Sequence, residues 1–471
     1  MSFRLDRPIT PQTKNVFVTI ALFVMLPLLV IGAMRTYQIV TRAVGFPAHI
    51  VVDAGKELSP ISTDFYHAFA QGGEEQTDML APVLAETKAL SPKLIRLDHI
   101  YDSYHVVSGS GSGLSYDFSR LDAAVSTILA TGAKPVLALS YMPPSISQDG
   151  SLIAPPRDWN DWAAVVRQTI EHYSGKSEKN ISGIYYEVWN EPDLAQFGSW
   201  KLSGDKNYLT LYRFAAQGAN SAQNCNKFFF GGPVTTGLYK NWIIALASSG
   251  MRVDFFSWHS YLPEPDRFSN DQKNIVSWLL PYGNHFGKPL IISEFGFTGA
   301  KDVRYGTSYA AAHTAATISN LMTAGPTYLF SFQIKDGPNQ TDGSGWGLLR
   351  HESAGKGKKP RYGIYAFMDQ MKGNRLPLSG EGTWVGGFAT KNGQTIKILL
   401  VNFDPYNGKR EEFVPVTLNN LSPGTYTVTI RRYGLGSEAP STITVTNAEP
   451  LKRTLRLATN GIAIIELTKT Q

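Results

Sequence analysis

Cysteine is almost missing from this chain of 471 residues. Cys225 stands alone, so neither an internal disulfide nor a cysteine-rich zinc site can form. Charge is thin as well: Asp, Glu, Lys and Arg make up 17% of the chain, with a net charge of +6. No run of Lys and Arg and no basic–aromatic module is present, which argues against a nucleic-acid partner. The nine histidines lack a His-x-x-x-His spacing with an acidic companion, so no metal and no other cofactor is expected. Internal repeats and low-complexity tracts are absent too. What remains is a hydrophobic content of 43% with 12% aromatics, the composition of a well-cored body with one large domain and a smaller one.

One long apolar run stands out, residues 16–34, uncharged, preceded by Arg4, Arg7 and Lys14 and closed by Arg35. It matches the roughly 20 residues that cross a bilayer. The end of the run, Val30-Ile31-Gly32-Ala33-Met34, lacks the small-x-small pattern of a cleavage site. A retained transmembrane signal anchor is therefore expected over 15–35. A cytoplasmic tail (1–14) precedes it, and the rest of the chain is extracytoplasmic by the positive-inside rule. A stalk and a joining strand fill 36–60. With disulfides missing, this favours a bacterial inner membrane, periplasmic side, over a eukaryotic secretory path in which Asn180, Asn339 and Asn420 would accept glycans.

Downstream, strand-like runs at residues 65–69, 94–100, 135–141, 184–190, 228–232, 255–261, 290–295 and 328–334 alternate with helical patterns. In residues 159–173, Trp162, Val165, Val166, Thr169 and Ile170 recur at helical spacing. Other helices are expected at 208–222, 307–322 and 361–371. This alternation predicts an α/β fold, a (β/α)8 TIM barrel over 61–376. Beyond it, short alternating strands at 384–390, 395–402, 424–431, 442–447 and 461–467 predict a small C-terminal antiparallel β-sandwich over 377–471. A short strand at 49–53 lies outside the barrel and is placed to complete the sandwich.

The chemistry gathers at two strand ends. Tyr186-Glu187-Val188-Trp189-Asn190-Glu191-Pro192-Asp193 closes the fourth barrel strand, and Leu290-Ile291-Ile292-Ser293-Glu294-Phe295-Gly296 closes the seventh. Each apolar run delivers a glutamate to the C-terminal mouth of the barrel. Two such carboxyl groups, Glu191 and Glu294, are the minimum for retaining glycosidic cleavage, which needs them about 5–5.5 Å apart. Tryptophan and tyrosine rings, mostly core, also supply flat faces for the C–H surfaces of a sugar. Glu187 lies inside the strand, where a carboxylate needs a partner such as Arg96 or a lysine; it is not read as catalytic. His259 and Tyr261 project the same way on a strand of period two. His259 is either a substrate contact or a satisfied rim residue. Asp98, His99, Tyr104 and His105 follow the second strand and either line the cleft or serve as ordinary loop polars.

These residues resemble glycoside hydrolase clan A and, more narrowly, family 39, the group of β-xylosidases, α-iduronidases and relatives from bacterial exopolysaccharide clusters. The resemblance rests on Trp162 with His172-Tyr173, the Glu187–Asp193 stretch, Tyr208 with Leu211-Tyr212, and Gly231-Gly232-Pro233. It continues through Trp258-His259-Ser260-Tyr261, Ser293-Glu294-Phe295-Gly296, Gly347-Leu348-Leu349 and Lys359-Pro360-Arg361-Tyr362. It implies Glu191 as general acid and base and Glu294 as nucleophile. It also implies Asn190 at the sugar 2-hydroxyl, Tyr261 orienting the nucleophile and Arg96 keeping it ionised, where the other role for Arg96 is a structural salt bridge. The clan often has tryptophan at the end of strand eight; here Phe332 and Gln333 stand there, with Trp346 further on as the aromatic substrate contact.

The expected function is a membrane-anchored retaining glycoside hydrolase that cleaves an extracytoplasmic polysaccharide by double displacement, within an exopolysaccharide synthesis or export system. Its partners would be that polysaccharide, the membrane and the assembly proteins. The alternative is a non-catalytic carbohydrate-binding scaffold of an export complex. Transglycosylation shares the same intermediate. The xylosidase and iduronidase branches share these motifs, and loops 108–115 and 337–345 suit endo and exo clefts alike.

Overall fold

Eight buried strands close into one parallel barrel in the computed structural model, which describes residues 45–325, 327–406, 410–446 and 449–470. The predicted tail 1–14, the span 15–35 and the stalk up to residue 44 lie outside the described residues. Among the described residues no helix is long and apolar enough to cross a membrane.

After a first strand, β1 (Ile50–Asp53), the barrel runs through β2 (Ala68–Gln71), β3 (Leu94–Leu97), β4 (Lys134–Leu139) and β5 (Tyr185–Val188). It continues through β6 (Phe229–Thr235), β7 (Phe255–Tyr261), β8 (Leu290–Gly296) and β9 (Tyr328–Phe332). Neighbours in sequence are neighbours in the barrel, and β9 closes it on β2. A helix follows each strand: α1 (Leu84–Ala89), α2 (Ser119–Ala130), α3 (Trp159–Ser174), α4 (Tyr208–Ser221), α5 (Lys240–Ala247), α6 (Asp266–Leu279), α7 (Ser308–Ala324) and α8 (Pro360–Met368). The α3 helix shows why such segments fold. Asp158 caps it by accepting from the Asn160 N–H at 2.8 Å, and Trp162, Val165, Val166, Thr169, Ile170 and Tyr173 turn one apolar face to the barrel.

The expected strand at 65–69 is displaced. Phe65 and Tyr66 belong to a one-turn 3-10 helix (Asp64–Tyr66), and β2 starts at Ala68. Inside the lower barrel, Ala68 and Ala70 share a cluster with Leu94, Val136, Tyr185, Phe255, Ile291 and Phe330, so small side chains on β2 make room for large ones on β5 and β7.

C-terminal to the barrel, two antiparallel-rich sheets pack on a second core. One sheet orders Leu378–Ser379, β1, Glu412–Asn419 and Leu451–Leu457; β1 lies parallel to Glu412–Asn419. The other is built on Asn374–Leu376, Val385–Asn392, Thr395–Asn402, Ile462–Lys469 and Gly424–Arg432. The sandwich leans on α7: Tyr309 donates to the Pro405 carbonyl at 2.7 Å, and Arg375 donates to the Met322 carbonyl at 3.1 Å.

Candidate active site

Asn190, Glu191, His259, Tyr261 and Glu294 come from the C-terminal ends of the barrel strands or just beyond them, and Trp346 from the loop after β9. Two irregularities aim the carboxyl groups. In β8, Ile292 faces Trp258 while Glu294 faces His259, so Ser293 is an extra residue and the strand bulges just before the second glutamate. In β6 the register shifts between Pro233 and Thr235, where Val234 takes φ 58°. The carbonyl freed there accepts the Glu191 N–H at 2.9 Å. Glu191 itself sits at φ 44°, the left-handed region, which for a side-chain-bearing residue costs on the order of 1 kcal/mol and is held by its surroundings.

Arg96 is the hub. It is fully buried, and its planar fork reaches three acceptors: Nε to Glu187 Oε2 at 2.6 Å, Nη1 to Glu294 Oε1 at 2.8 Å and Nη2 to Asn190 Oδ1 at 2.7 Å. Glu187 thus finds the partner its burial demands, with 0% exposure. The second Glu294 oxygen accepts the Tyr261 phenol at 2.6 Å. Burial and the Glu294 charge hold the Tyr261 proton firmly, its pKa well above the usual phenol range. Burial also pushes the Glu294 carboxyl upward, His259 and Arg96 pull it down, and Glu191 adds to the rise.

His259 bridges the two glutamates. Its Nδ1 lies 2.8 Å from Glu191 Oε1 and 3.5 Å from Glu294 Oε2. Burial works against a charge on this ring, yet the two carboxylates prevail and raise its pKa. One oxygen from each glutamate and the imidazole nitrogen all lie within 4.8 Å of one another. That approach of the nearest oxygens agrees with the retaining arrangement, whose carboxyl groups stand about 5–5.5 Å apart.

Of the residues after β3, Asp98 and His99 line the cleft, together with Trp346, Phe332, Asn190 and the two glutamates. Tyr104 is buried with its hydroxyl on the Thr77 carbonyl, and His105 is exposed on the loop, so neither belongs to the cleft lining. The His99 imidazole is held by Asp102 at 2.7 Å; burial opposes protonation, but the Asp98 charge and the Asp102 hydrogen bond raise its pKa to about 9.

Tyr141, Glu74 and the glycine pair Gly72-Gly73 were not apparent in the sequence. Tyr141, just past β4, accepts the Asn190 amide at 2.8 Å and stacks on Phe197 with 5.4 Å between ring centroids. Its position beyond a strand end was the available signal. Glu74 enters from the β2 loop, part-buried, accepting from Gln340 Nε2 at 3.1 Å, with burial raising its carboxyl. Gly72 and Gly73 let that loop pass close: a Cβ at Gly73 would lie 2.5 Å from the His99 ring. Among the described residues a second trio, Glu75, His351 and Glu352, also has metal-like spacing. Its cation is already present, because Lys335 Nζ donates to Glu75 at 2.8 Å and to Glu352 at 2.7 Å.

Comparison with known proteins agrees with this geometry. Residues 61–275 match the model of glycosyl hydrolases family 39. A β-xylosidase of Geobacillus stearothermophilus is 24% identical over 311 residues, covering 56% of this chain and 58% of the relative. Another, from Caldicellulosiruptor saccharolyticus, is 23% identical over 343 residues, covering 65% and 68%. The crystal structure of a monomeric β-xylosidase from Caulobacter crescentus superposes with a TM-score of 0.69 at 19% identity, covering 90% of this chain and 100% of that one.

Proposed function

We propose that the chain, whose residues 61–275 match the family 39 model, is a retaining glycosidase of that type, with Glu191 as acid and base and Glu294 as nucleophile. The observation that carries this reading is the approach of the two carboxyl groups, oxygens within 4.8 Å, with Arg96 and Tyr261 both donating to Glu294.

The two donors fix the Glu294 oxygens and leave the carboxylate aimed at an anomeric carbon. As Glu294 forms its bond to that carbon, Glu191 gives its proton to the departing glycosidic oxygen. The carboxylate left on Glu191 is stabilised by the His259 Nδ1–H at 2.8 Å. In the second half, Glu191 takes a proton from water, the water oxygen attacks the anomeric carbon, and the Glu294–sugar bond breaks. Asn190 is clamped between Arg96 and Tyr141 at 2.7 and 2.8 Å, which presets its amide for the sugar 2-hydroxyl.

The finer reading is a polysaccharide-cleaving enzyme anchored by the apolar run at 16–34, body on the extracytoplasmic side, acting in exopolysaccharide synthesis or export. The flanking Arg4, Arg7, Lys14 and Arg35 and the long uncharged run support the anchor. The test is cleavage of a polysaccharide panel by the full chain in detergent, beside Glu191→Gln and Glu294→Gln. Cleavage by the parent and loss of at least about 1,000-fold in each variant supports the proposal, on the scale of losing a covalent or proton-transfer partner. Binding of one polymer without cleavage, equal in all three proteins, would instead make the chain a carbohydrate-binding scaffold.

A further inference from the structure

The cleft is lined by an excess of acidic side chains. Glu74, Asp98, Glu191 and Glu294 all line it, and neither Lys nor Arg does; His99 is the one basic side chain among the described lining residues. The two cations beneath the floor are engaged, Arg96 by its three acceptors and His259 by the glutamates. Lys301 is exposed, acting on the Glu74 charge without lining the cleft.

Asp98 is the odd member. It follows the end of β3, two residues from Arg96, and only 5% of it is exposed. Its Oδ1 is buried and accepts no hydrogen bond from the protein. A buried carboxylate oxygen without a donor is costly unless something else supplies one. Gly72 keeps the space beside it open, since a Cβ there would lie 3.1 Å from Asp98 Oδ1 and 3.2 Å from the Phe332 ring. Neither Asp98 nor Glu74 has a part in the two chemical steps.

We propose that Asp98, backed by Glu74, forms the sugar-recognition wall of this site, accepting hydrogen bonds from a glycone that carries hydroxyl or ammonium donors and no carboxylate. This rests on the glycosidase reading above and deepens it to a substrate class. A uronate in the same place would set its carboxylate among four others, with His99, already held by Asp102, as the one cation lining the cleft, a net like-charge rejection of the kind that gives specificity.

The experiment offers the full-length protein, in detergent, polysaccharides built from neutral sugars, from N-deacetylated amino sugars and from mixtures of each with uronates. The new reducing end is then identified by mass spectrometry. A neutral or amino-sugar reducing end is expected, at least 100-fold in excess of any uronate, and the separate arms tell hydroxyl from ammonium donors. A uronate reducing end at comparable rate would overturn the proposal while leaving the glycosidase intact. Cleavage in none of the arms would instead refute the glycosidase reading, and this proposal with it. In Asp98→Asn, kcat/KM on the cleaved polymer should fall at least 10-fold, mainly through KM. Inhibition by uronate oligosaccharides should strengthen at least 10-fold relative to neutral ones. A variant that loses activity with that inhibition ratio unchanged would assign Asp98 a merely structural part and also refute the proposal.

Discussion

Replacing Arg96 by Met separates what the site needs for folding from what it needs for chemistry. The substitution keeps volume and removes three hydrogen bonds, at 2.6, 2.8 and 2.7 Å, along with a fully buried positive charge. Glu187 is then left inside the barrel with no cation, and its Oε1 already lacks a partner. Breaking a buried ion pair by removing one side costs about 3–5 kcal/mol. Glu294 also loses a pull that holds its already raised pKa down, so the carboxyl stays protonated to higher pH. The expected outcome is a urea midpoint lowered by about 1–1.7 M, taking a slope of about 3 kcal/mol/M for a body of this size. Activity should fall by more than 100-fold, with the acidic limb of the pH–rate profile moved upward. The double variant Arg96→Met/Glu187→Met should regain much of the stability, because an apolar pair of similar volume is often no worse than a buried ion pair, and none of the activity. A stability loss below about 1 kcal/mol, or an unmoved acidic limb, would refute the view that this guanidinium holds both carboxylates.

Tyr261→Phe removes one donor, at 2.6 Å, from Glu294; kcat should fall about 10- to 100-fold, the worth of a hydrogen bond to a charged group, with little change in denaturation midpoint. His99, raised to about 9, contributes stability that is fully present below the ordinary histidine value of about 6.5 and is lost as pH rises through about 9. Urea midpoints of the parent should therefore decline over that window, and His99→Gln should flatten the decline. Gly73→Ala places a methyl 2.5 Å from the His99 ring; thermal unfolding should report a loss of about 1–3 kcal/mol from overpacking.

The barrel was legible because its strands read as short apolar runs between helices of clear period. Only the first was misplaced, since Ala68, Phe69, Ala70 and Gln71 lack the β-branched signature that marks Leu290–Gly296. In the sandwich, Glu412–Asn419 and Leu451–Leu457 escaped notice for different reasons. Pro415 reads as a turn, yet it falls outside the residues paired with β1, Val416–Asn419, where one side of the strand is locally an edge. Lys452, Arg453 and Arg456 make the other look like a loop, when Lys452 and Arg456 lie on the outer face of an edge strand and Arg453 is an exposed position on the opposite face, before the buried Leu455 and Leu457. In the cleft, Arg96, Glu187, Asn190, Glu191, His259, Tyr261 and Glu294 meet because strand ends converge, which follows from barrel geometry. Tyr141 and Glu74 arrive from loops, whose course is set by contacts such as Gly73 against His99 and Gln340 against Glu74 that no local pattern encodes.

The central claim is double displacement by two glutamates whose oxygens approach within 4.8 Å. Proton NMR of a polymer or glycoside that the enzyme cleaves reads it directly, through the anomer that appears first. Retained configuration at the earliest time points, lost together with turnover in Glu294→Gln, is the predicted result. Inverted configuration, or turnover that survives in Glu294→Gln, would contradict the account.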